Sequence, residues 1–136
     1  MAGPRTKALD RAGVAERAGR ARFFLDVAGS YTVEQRSAAR AVGSSNAIEA
    51  GIAAADAICG RLLGERSNSE RHADAVDLLR RALPKQSAPA SALRRLLDVK
   101  TRVQYGENEV GLVAASENLQ RAEALVEAME QVLAIE

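Results

Sequence analysis

Residues 46–58 read NAIEAGIAAADAI, and this stretch is the clearest indication of the fold class of the chain. Two of its three isoleucines, Ile48 and Ile52, are followed by Ala55 at the spacing of three and four that is typical of one face of a helix. Most of the other residues are alanine or glycine, which let a neighbouring helix approach closely. The stretch therefore predicts a helix against which another helix packs at short distance.

This helix is the second of the chain and extends beyond the stretch in both directions. A capping box formed by Thr32 and Gln35 predicts where it begins, and Gly64 predicts where it ends. Upstream, apolar and small residues at helical spacing predict a first helix over about residues 5–29. Its stop signal is Gly29, together with the serine that follows.

Three further helices are predicted downstream. The third begins near Ser67 or Ser69, which both have capping side chains, and ends at Pro84. The fourth covers about residues 91–104, and the fifth follows an Asn108 cap and ends near the C-terminus. No segment shows convincing period-two alternation. The sequence therefore predicts an all-α fold, an antiparallel up-and-down bundle of four to five helices.

The chain, residues 1–136, is expected to form a single helical domain. A length of 136 residues is enough to bury a core without disulfides or metals. We expect this core to cover about residues 8–133 and residues 1–7 to be flexible. The 28 alanines, together with an aromatic content of only 3%, favour closely packed helices over strands.

Composition and charge exclude several classes of function. No run approaches the roughly 20 apolar residues of a membrane span, so we expect no membrane association and a cytoplasmic location. One cysteine, Cys59, and one histidine, His72, exclude the usual metal sites within one chain, and we expect no metal and no cofactor. Because Cys59 lies on an apolar helix line, an inert buried thiol is expected. A net charge of +1 gives no global attraction to nucleic acid.

Two polar side chains interrupt apolar helix lines. His72 heads the line of the third helix, and Lys100 lies within that of the fourth. Charged groups are seldom fully buried without a partner. On one interpretation each side chain lies near a helix end and reaches solvent. On the other, each faces a carboxylate, a ligand anion or a groove.

A polar line also runs along the second helix, where Asn46, Glu49 and Asp56 lie at helical spacing. One interpretation is a solvated face. The alternative pairs Asp56 or Glu49 with Lys100 or Arg102 in a polar seam. On that alternative Asp56 is a candidate ligand-binding residue.

Arg66 and His72 form the candidate catalytic pair. Five residues separate them, and an arginine can hold a phosphate while a histidine moves protons. This is the chemistry of metal-independent RNA cleavage, which needs no cofactor. A second candidate set serves ligand binding, in which the cations Lys100, Arg102 and Arg66 contact phosphate. In the same set Tyr105 stacks on a base.

Several segments together resemble a HEPN (higher eukaryotes and prokaryotes nucleotide-binding) domain. They are residues 24–28 (FLDVA), the stretch 46–58, residues 72–79 (HADAVDLL) and residues 100–105 (KTRVQY), followed by a final amphipathic helix. The resemblance covers roughly residues 8–133. It implies an up-and-down helical bundle, often a homodimer.

The resemblance also implies site residues. Many HEPN members are RNases, toxins or phage-defence components with a signature of arginine, four to six residues and histidine, and the spacing of Arg66 and His72 satisfies that count. In catalytic members the signature usually falls near the start of a late helix, where this chain has Lys100 to Tyr105 and no histidine. This arrangement is similar to a branch with a basic residue and a tyrosine there, in which His72 would be a conformational or binding residue.

Three functions remain open on the sequence. The first is a HEPN-like module that binds RNA, a nucleotide or a protein partner, such as a nucleotidyltransferase-type antitoxin. The second is a metal-independent RNase toxin that uses Arg66 and His72, with its site assembled across a homodimer. The third is a structural helical adaptor without a ligand.

Overall fold

The computed structural model describes residues 5–105 and 109–135, apart from the side chains of Thr101, Gln104 and Tyr105. Its helices are α1 (Arg11–Tyr31), α2 (Ser37–Leu63), α3 (His72–Ala82), α4 (Ala88–Tyr105) and α5 (Leu112–Leu133). Two short strands, β1 (Thr6–Ala8) and β2 (Glu65–Ser67), complete the described part. The prediction of an all-α helical bundle is confirmed, since 77% of the structure is helical.

α2 lies at the centre of the bundle and is buried on nearly every side. α1 packs antiparallel to it, so that Thr32 lies against Gly43 at one end and Val14 lies against Gly60 at the other. α5 runs parallel to α2, as the second and fourth long helices of an up-and-down bundle do. Although α2 is long and rich in alanine, no helix in the described ranges is long and apolar enough to cross a membrane.

The small residues of α2 allow the close approach that the sequence predicts. At Gly51 an added Cβ would lie 2.5 Å from Leu96 Cδ1 and 3.1 Å from Leu125 Cδ1. α4 and α5 therefore both pack directly on the backbone of α2, which a larger side chain would prevent. Gly64 ends α2 in the left-handed conformation, with φ of 75°, as predicted.

The expected start of the first helix at residue 5 is wrong, and the segment 1–7, which is expected to be flexible, includes residues with regular structure. Thr6–Ala8 form β1, which pairs antiparallel with β2, Lys7 opposite Arg66. Main-chain hydrogen bonds from Leu9 to Gly64 and from Asn68 to Arg5 extend the ladder at both ends. A three-residue strand is too short to show alternation, and its partner lies about 60 residues away, so local spacing gives no signal for it.

The predicted capping box at Thr32 is also wrong. Thr32 is fully buried and ends α1, donating its main-chain N–H to the Ala28 carbonyl, and α2 begins only at Ser37. The chain needs residues 32–36 to reverse direction, and Arg40 holds this turn by donating to the carbonyls of Glu34 and Gln35. The sequence pattern misplaces this boundary because a cap is a local signal, whereas the turn is set by the packing of α1 on α2.

The remaining helix starts differ from prediction by a few residues. Neither predicted cap of α3 is in use, since the N-cap residue is Arg71 and no side chain caps the helix. Ser69 instead holds the segment before α3: its Oγ accepts from the main-chain N–H of Arg71 at 3.0 Å and donates to the Asp74 carboxylate at 2.7 Å. α4 begins at Ala88, with a proline in its first turn, where the missing N–H costs nothing. α5 begins after Gly111. The predicted cap Asn108 lies outside the described residues.

Candidate functional site

A cavity of about 460 Å³ lies where α2, α3 and α4 meet, with α1 and β2 at its edges. Its apolar lining comes from three helices: Ile52, Ala55, Cys59, Ala75, Leu78, Leu93 and Leu97. Its charged and ionisable lining comes from every element around it and from the segment before α3. These side chains are Arg17, Asp56, Arg66, Glu70, Arg71, His72 and Lys100. A volume of this size lies within the range of small-ligand sites, and the lining combines apolar side chains with convergent polar ones.

Asp56 stands on the α2 wall of the cavity, beside Ile52 and Cys59. Its side chain is only 13% exposed, and its nearest cation is Arg17 of α1, with Nη1 3.9 Å from Oδ2. Burial raises the pKa of Asp56 to about 6, and the charges of Arg17 and Arg66 oppose this rise without cancelling it. A carboxyl group in a cavity with a pKa close to neutral is a feature of functional sites.

Arg66 reaches the cavity from β2. Its backbone is held by the ladder opposite Lys7, and its Nη1 donates to the Ser67 carbonyl at 3.1 Å. The side chain is half-buried and contributes to the field at Asp56. The small strand pair, which sequence spacing does not reveal, therefore determines where this guanidinium lies.

His72 is the first residue of α3 and lies on the rim of the cavity, where it is exposed. It also lines a smaller neighbouring cavity of about 320 Å³ between α3 and α4. Both interpretations of this residue therefore describe part of its position: it reaches solvent at a helix end, and it faces a groove. Arg66 and His72 line the same cavity, although no hydrogen bond joins them within the described single chain.

Lys100 is half-buried on α4 and lines the cavity, but the predicted polar seam is wrong in its pairing. Within the described residues neither Lys100 nor Arg102 lies within ion-pair distance of Asp56 or Glu49, and Arg17 takes that place for Asp56. Arg17 lies three residues after Val14, but spacing alone does not distinguish it from the other arginines of α1.

The other two predicted ligand-binding residues are not part of this cavity as described. Arg102 lines a separate cavity of about 490 Å³ between α4 and the start of α5. The side chain of Tyr105 lies outside the described part of the structure. The predicted set Lys100, Arg102 and Tyr105 is therefore divided, because residues two positions apart on a helix point in different directions.

Cys59 has the inert character that its apolar line predicts. It is 2% exposed, and burial, together with the nearby carboxylates of Asp56 and Glu65, raises the pKa of its thiol to about 12. At neutral pH it is a protonated, weakly nucleophilic group in the cavity wall. In residues 5–105 and 109–135, no three His, Cys, Asp or Glu side chains are grouped so as to hold a metal ion.

The charge of the lining favours an anion. Four arginine or lysine side chains face two carboxylates, and the exposed side chains of Arg71 and His72 stand at the amino end of α3. Helix amino ends themselves favour negative charge. A cavity that combines apolar and cationic side chains is suited to an organic anion, whose apolar part contacts the former while its charged part pairs with the latter.

Comparison with known proteins adds no family to this description. No protein-family model matches the chain, and no curated protein matches it. The resemblance to HEPN domains therefore rests on the sequence pattern of residues 8–133.

Proposed function

We propose that this chain is a HEPN-like helical module that binds a nucleotide in the cavity between α2, α3 and α4. The observation that carries the proposal is the convergence of Arg17, Arg66 and Lys100, from three separate elements, on one cavity that also has apolar walls. A nucleotide combines a flat apolar base with an anionic phosphate. Arginine is suited to the phosphate because its planar guanidinium donates two parallel hydrogen bonds.

The size and charge of the site favour one nucleotide unit over a long RNA strand. The cavity volume of about 460 Å³ lies within the range of small-ligand sites. Extended RNA binding instead requires a broad basic surface, because affinity depends on neutralising many phosphates. The chain carries 19 basic and 18 acidic residues, which leaves no such excess of charge.

Replacing Arg66 with alanine is expected to weaken nucleotide binding about tenfold, because a charge-assisted hydrogen bond to phosphate is lost. The measurement is isothermal titration of the purified chain with GMP, AMP, CMP and UMP at moderate salt, on the wild type and on Arg66→Ala. At least one of the four should bind to the wild type.

The matched control for this experiment is Arg95→Ala. Arg95 is an exposed arginine of α4 that lines none of the described cavities. Its replacement should leave affinity unchanged. The proposal is wrong if none of the four nucleotides binds, or if Arg66→Ala and Arg95→Ala have equal effects. The first outcome would favour the structural adaptor.

A metal-independent RNase is the second candidate, and the position of Arg66 and His72 on one cavity favours it. On this candidate the imidazole transfers the proton while the guanidinium holds the phosphate. Purified protein should then cleave RNA in the presence of EDTA, and His72→Ala should lose this cleavage while Arg95→Ala retains it. Intact RNA after incubation with the wild type, or equal cleavage by His72→Ala, would contradict it.

A further inference from the structure

The carboxylate of Asp56 lies on the wall of the cavity and receives no hydrogen bond from the part of the chain that the structure describes. No donor in the described residues lies within hydrogen-bond distance of it, and the closest charged atom, Arg17 Nη1, is 3.9 Å from Oδ2. Neither carboxylate oxygen is fully enclosed by the protein, so both are open to the cavity that Asp56 lines. A ligand that enters the cavity can therefore donate hydrogen bonds to them.

The surroundings of Asp56 define what kind of ligand group reaches it. Besides Arg17, the cavity that Asp56 lines has apolar walls from two helices, with Ile52 on α2 and with Leu93 and Leu97 on α4. Such walls fit the two faces of a flat ring, and the carboxylate then meets the edge of that ring. The cations Arg66 and Lys100 line the same cavity and remain for the phosphate.

An ionised carboxylate accepts hydrogen bonds and donates none. Among the common bases, guanine presents two adjacent N–H donors, at N1 and N2, which match the two oxygens of one carboxylate. Adenine and cytosine each present a donor next to a ring-nitrogen acceptor, and that acceptor would face a carboxylate oxygen. Uracil offers one N–H between two carbonyl oxygens.

We infer that Asp56 determines the base specificity of this site by accepting both N–H groups of a guanine, so that the ligand is a guanine nucleotide. The inference deepens the proposed function and rests on it. The ionisation of Asp56 is consistent with this role: with a pKa of about 6, the group is mainly a carboxylate at pH 7.5. Below that pKa the protonated group would no longer match guanine.

The test is a comparison of GMP, IMP and AMP by isothermal titration at pH 7.5. IMP lacks only the N2 amino group of GMP, so it should bind about tenfold more weakly. AMP should bind more weakly still, because its N1 acceptor faces the carboxylate. Equal affinities for GMP and IMP, or a preference for AMP, would overturn the inference.

Asp56→Asn provides the second arm, because an amide donates as well as accepts. The variant should lose the preference for GMP over IMP and should bind XMP more tightly than GMP, since the introduced amide can donate to the C2 carbonyl of xanthine. An unchanged preference for GMP in the variant would also overturn the inference. A thermal unfolding curve of the variant verifies that it is folded.

The two proposals fail in different ways. If none of these nucleotides binds, the proposed function fails. If they bind with affinities that fall in Arg66→Ala but do not depend on the base, the nucleotide site stands and the specificity of Asp56 is refuted.

Discussion

Replacing Gly43 with alanine is expected to lower the free energy of unfolding by about 3 kcal/mol, although alanine is the better helix former. The added Cβ would lie 2.6 Å from the main-chain nitrogen of Thr32 and 2.9 Å from its Cα. These atoms cannot move away as a flexible side chain can, because Thr32 is fully buried and its N–H donates to Ala28. Relief of the clash requires α1 to shift relative to α2.

Gly19→Ala is the matched control for this prediction, since it makes the same change in the interior of a helix. An added Cβ there meets nothing within 4 Å, so the variant should be more stable by about 0.5–1 kcal/mol through backbone entropy. Urea unfolding curves of the wild type and both variants give the comparison. If Gly43→Ala is as stable as Gly19→Ala, the close packing of α1 on α2 described above is incorrect.

Replacing Asp56 with asparagine is expected to raise the free energy of unfolding by about 3 kcal/mol at pH 7.5. The pKa of Asp56 is raised from 3.8 to about 6 in the folded chain, and each unit corresponds to about 1.4 kcal/mol. The native state therefore bears the cost of an ionised, largely buried carboxyl group at neutral pH. Asparagine has nearly the same shape and bears no charge, so this cost disappears.

Because the pKa of Asp56 is raised in the folded chain, the stability difference between Asp56→Asn and the wild type depends on pH in a defined direction. Between about pH 4 and pH 6 the folded state keeps a proton on Asp56 that the unfolded state has released, so the wild type loses stability as pH rises through this window. The advantage of Asp56→Asn should therefore be small at pH 4, grow up to about pH 6 and stay constant above it. The difference between the two proteins isolates this one carboxyl group, because both contain the other ionisable groups of the cavity: Arg17, Arg66, Glu70, Arg71, His72 and Lys100.

Unfolding curves at pH 4, 5, 6 and 7.5 measure this profile. The control is Asp26→Asn, which changes an exposed aspartate on α1 and should alter stability by less than about 0.5 kcal/mol at each pH. A variant Asp56→Asn that is less stable than the wild type at pH 7.5 would show that Asp56 is a structural partner of Arg17. Its burial would then say nothing about a ligand.

A higher stability of Asp56→Asn would indicate that the wild-type carboxyl group serves a function. Natural proteins keep destabilising groups mainly where activity or binding requires them, and a buried carboxylate without a hydrogen-bond donor is such a group. The stability measurement is independent of any ligand, and the nucleotide titrations are independent of stability. Agreement between the two experiments would assign the cost of the buried charge to ligand recognition.

Much of the core can be predicted from the sequence, because the helical spacing of apolar residues is a local property. Ile48, Val76 and Met129 lie on predicted apolar lines and are buried in the structure. At helix ends an apolar line predicts burial less reliably. Leu112 lies on the predicted apolar line of the last helix and is 53% exposed. Leu112 is the first residue of α5, and periodicity does not show how well a helix end is covered.

The candidate site is predictable only in part. His72 and Lys100 are recognisable because a polar side chain interrupts an apolar line, and both line the cavity. Arg17 does not stand out in the sequence, because its relation to Asp56 depends on the antiparallel register of α1 and α2. The position of Arg66 depends on a strand pair that joins residues about 60 positions apart.

The sequence by itself determined that this chain forms helices and which faces of those helices are apolar. It also determined that the side chains along one side of α2 are small enough for close packing. These properties depend on residues three or four positions apart, so spacing reveals them. Only the tertiary structure decided where α1 turns into α2, and that Asp56 meets Arg17 in a cavity. Those contacts join distant parts of the chain, and their geometry is set by how whole elements pack.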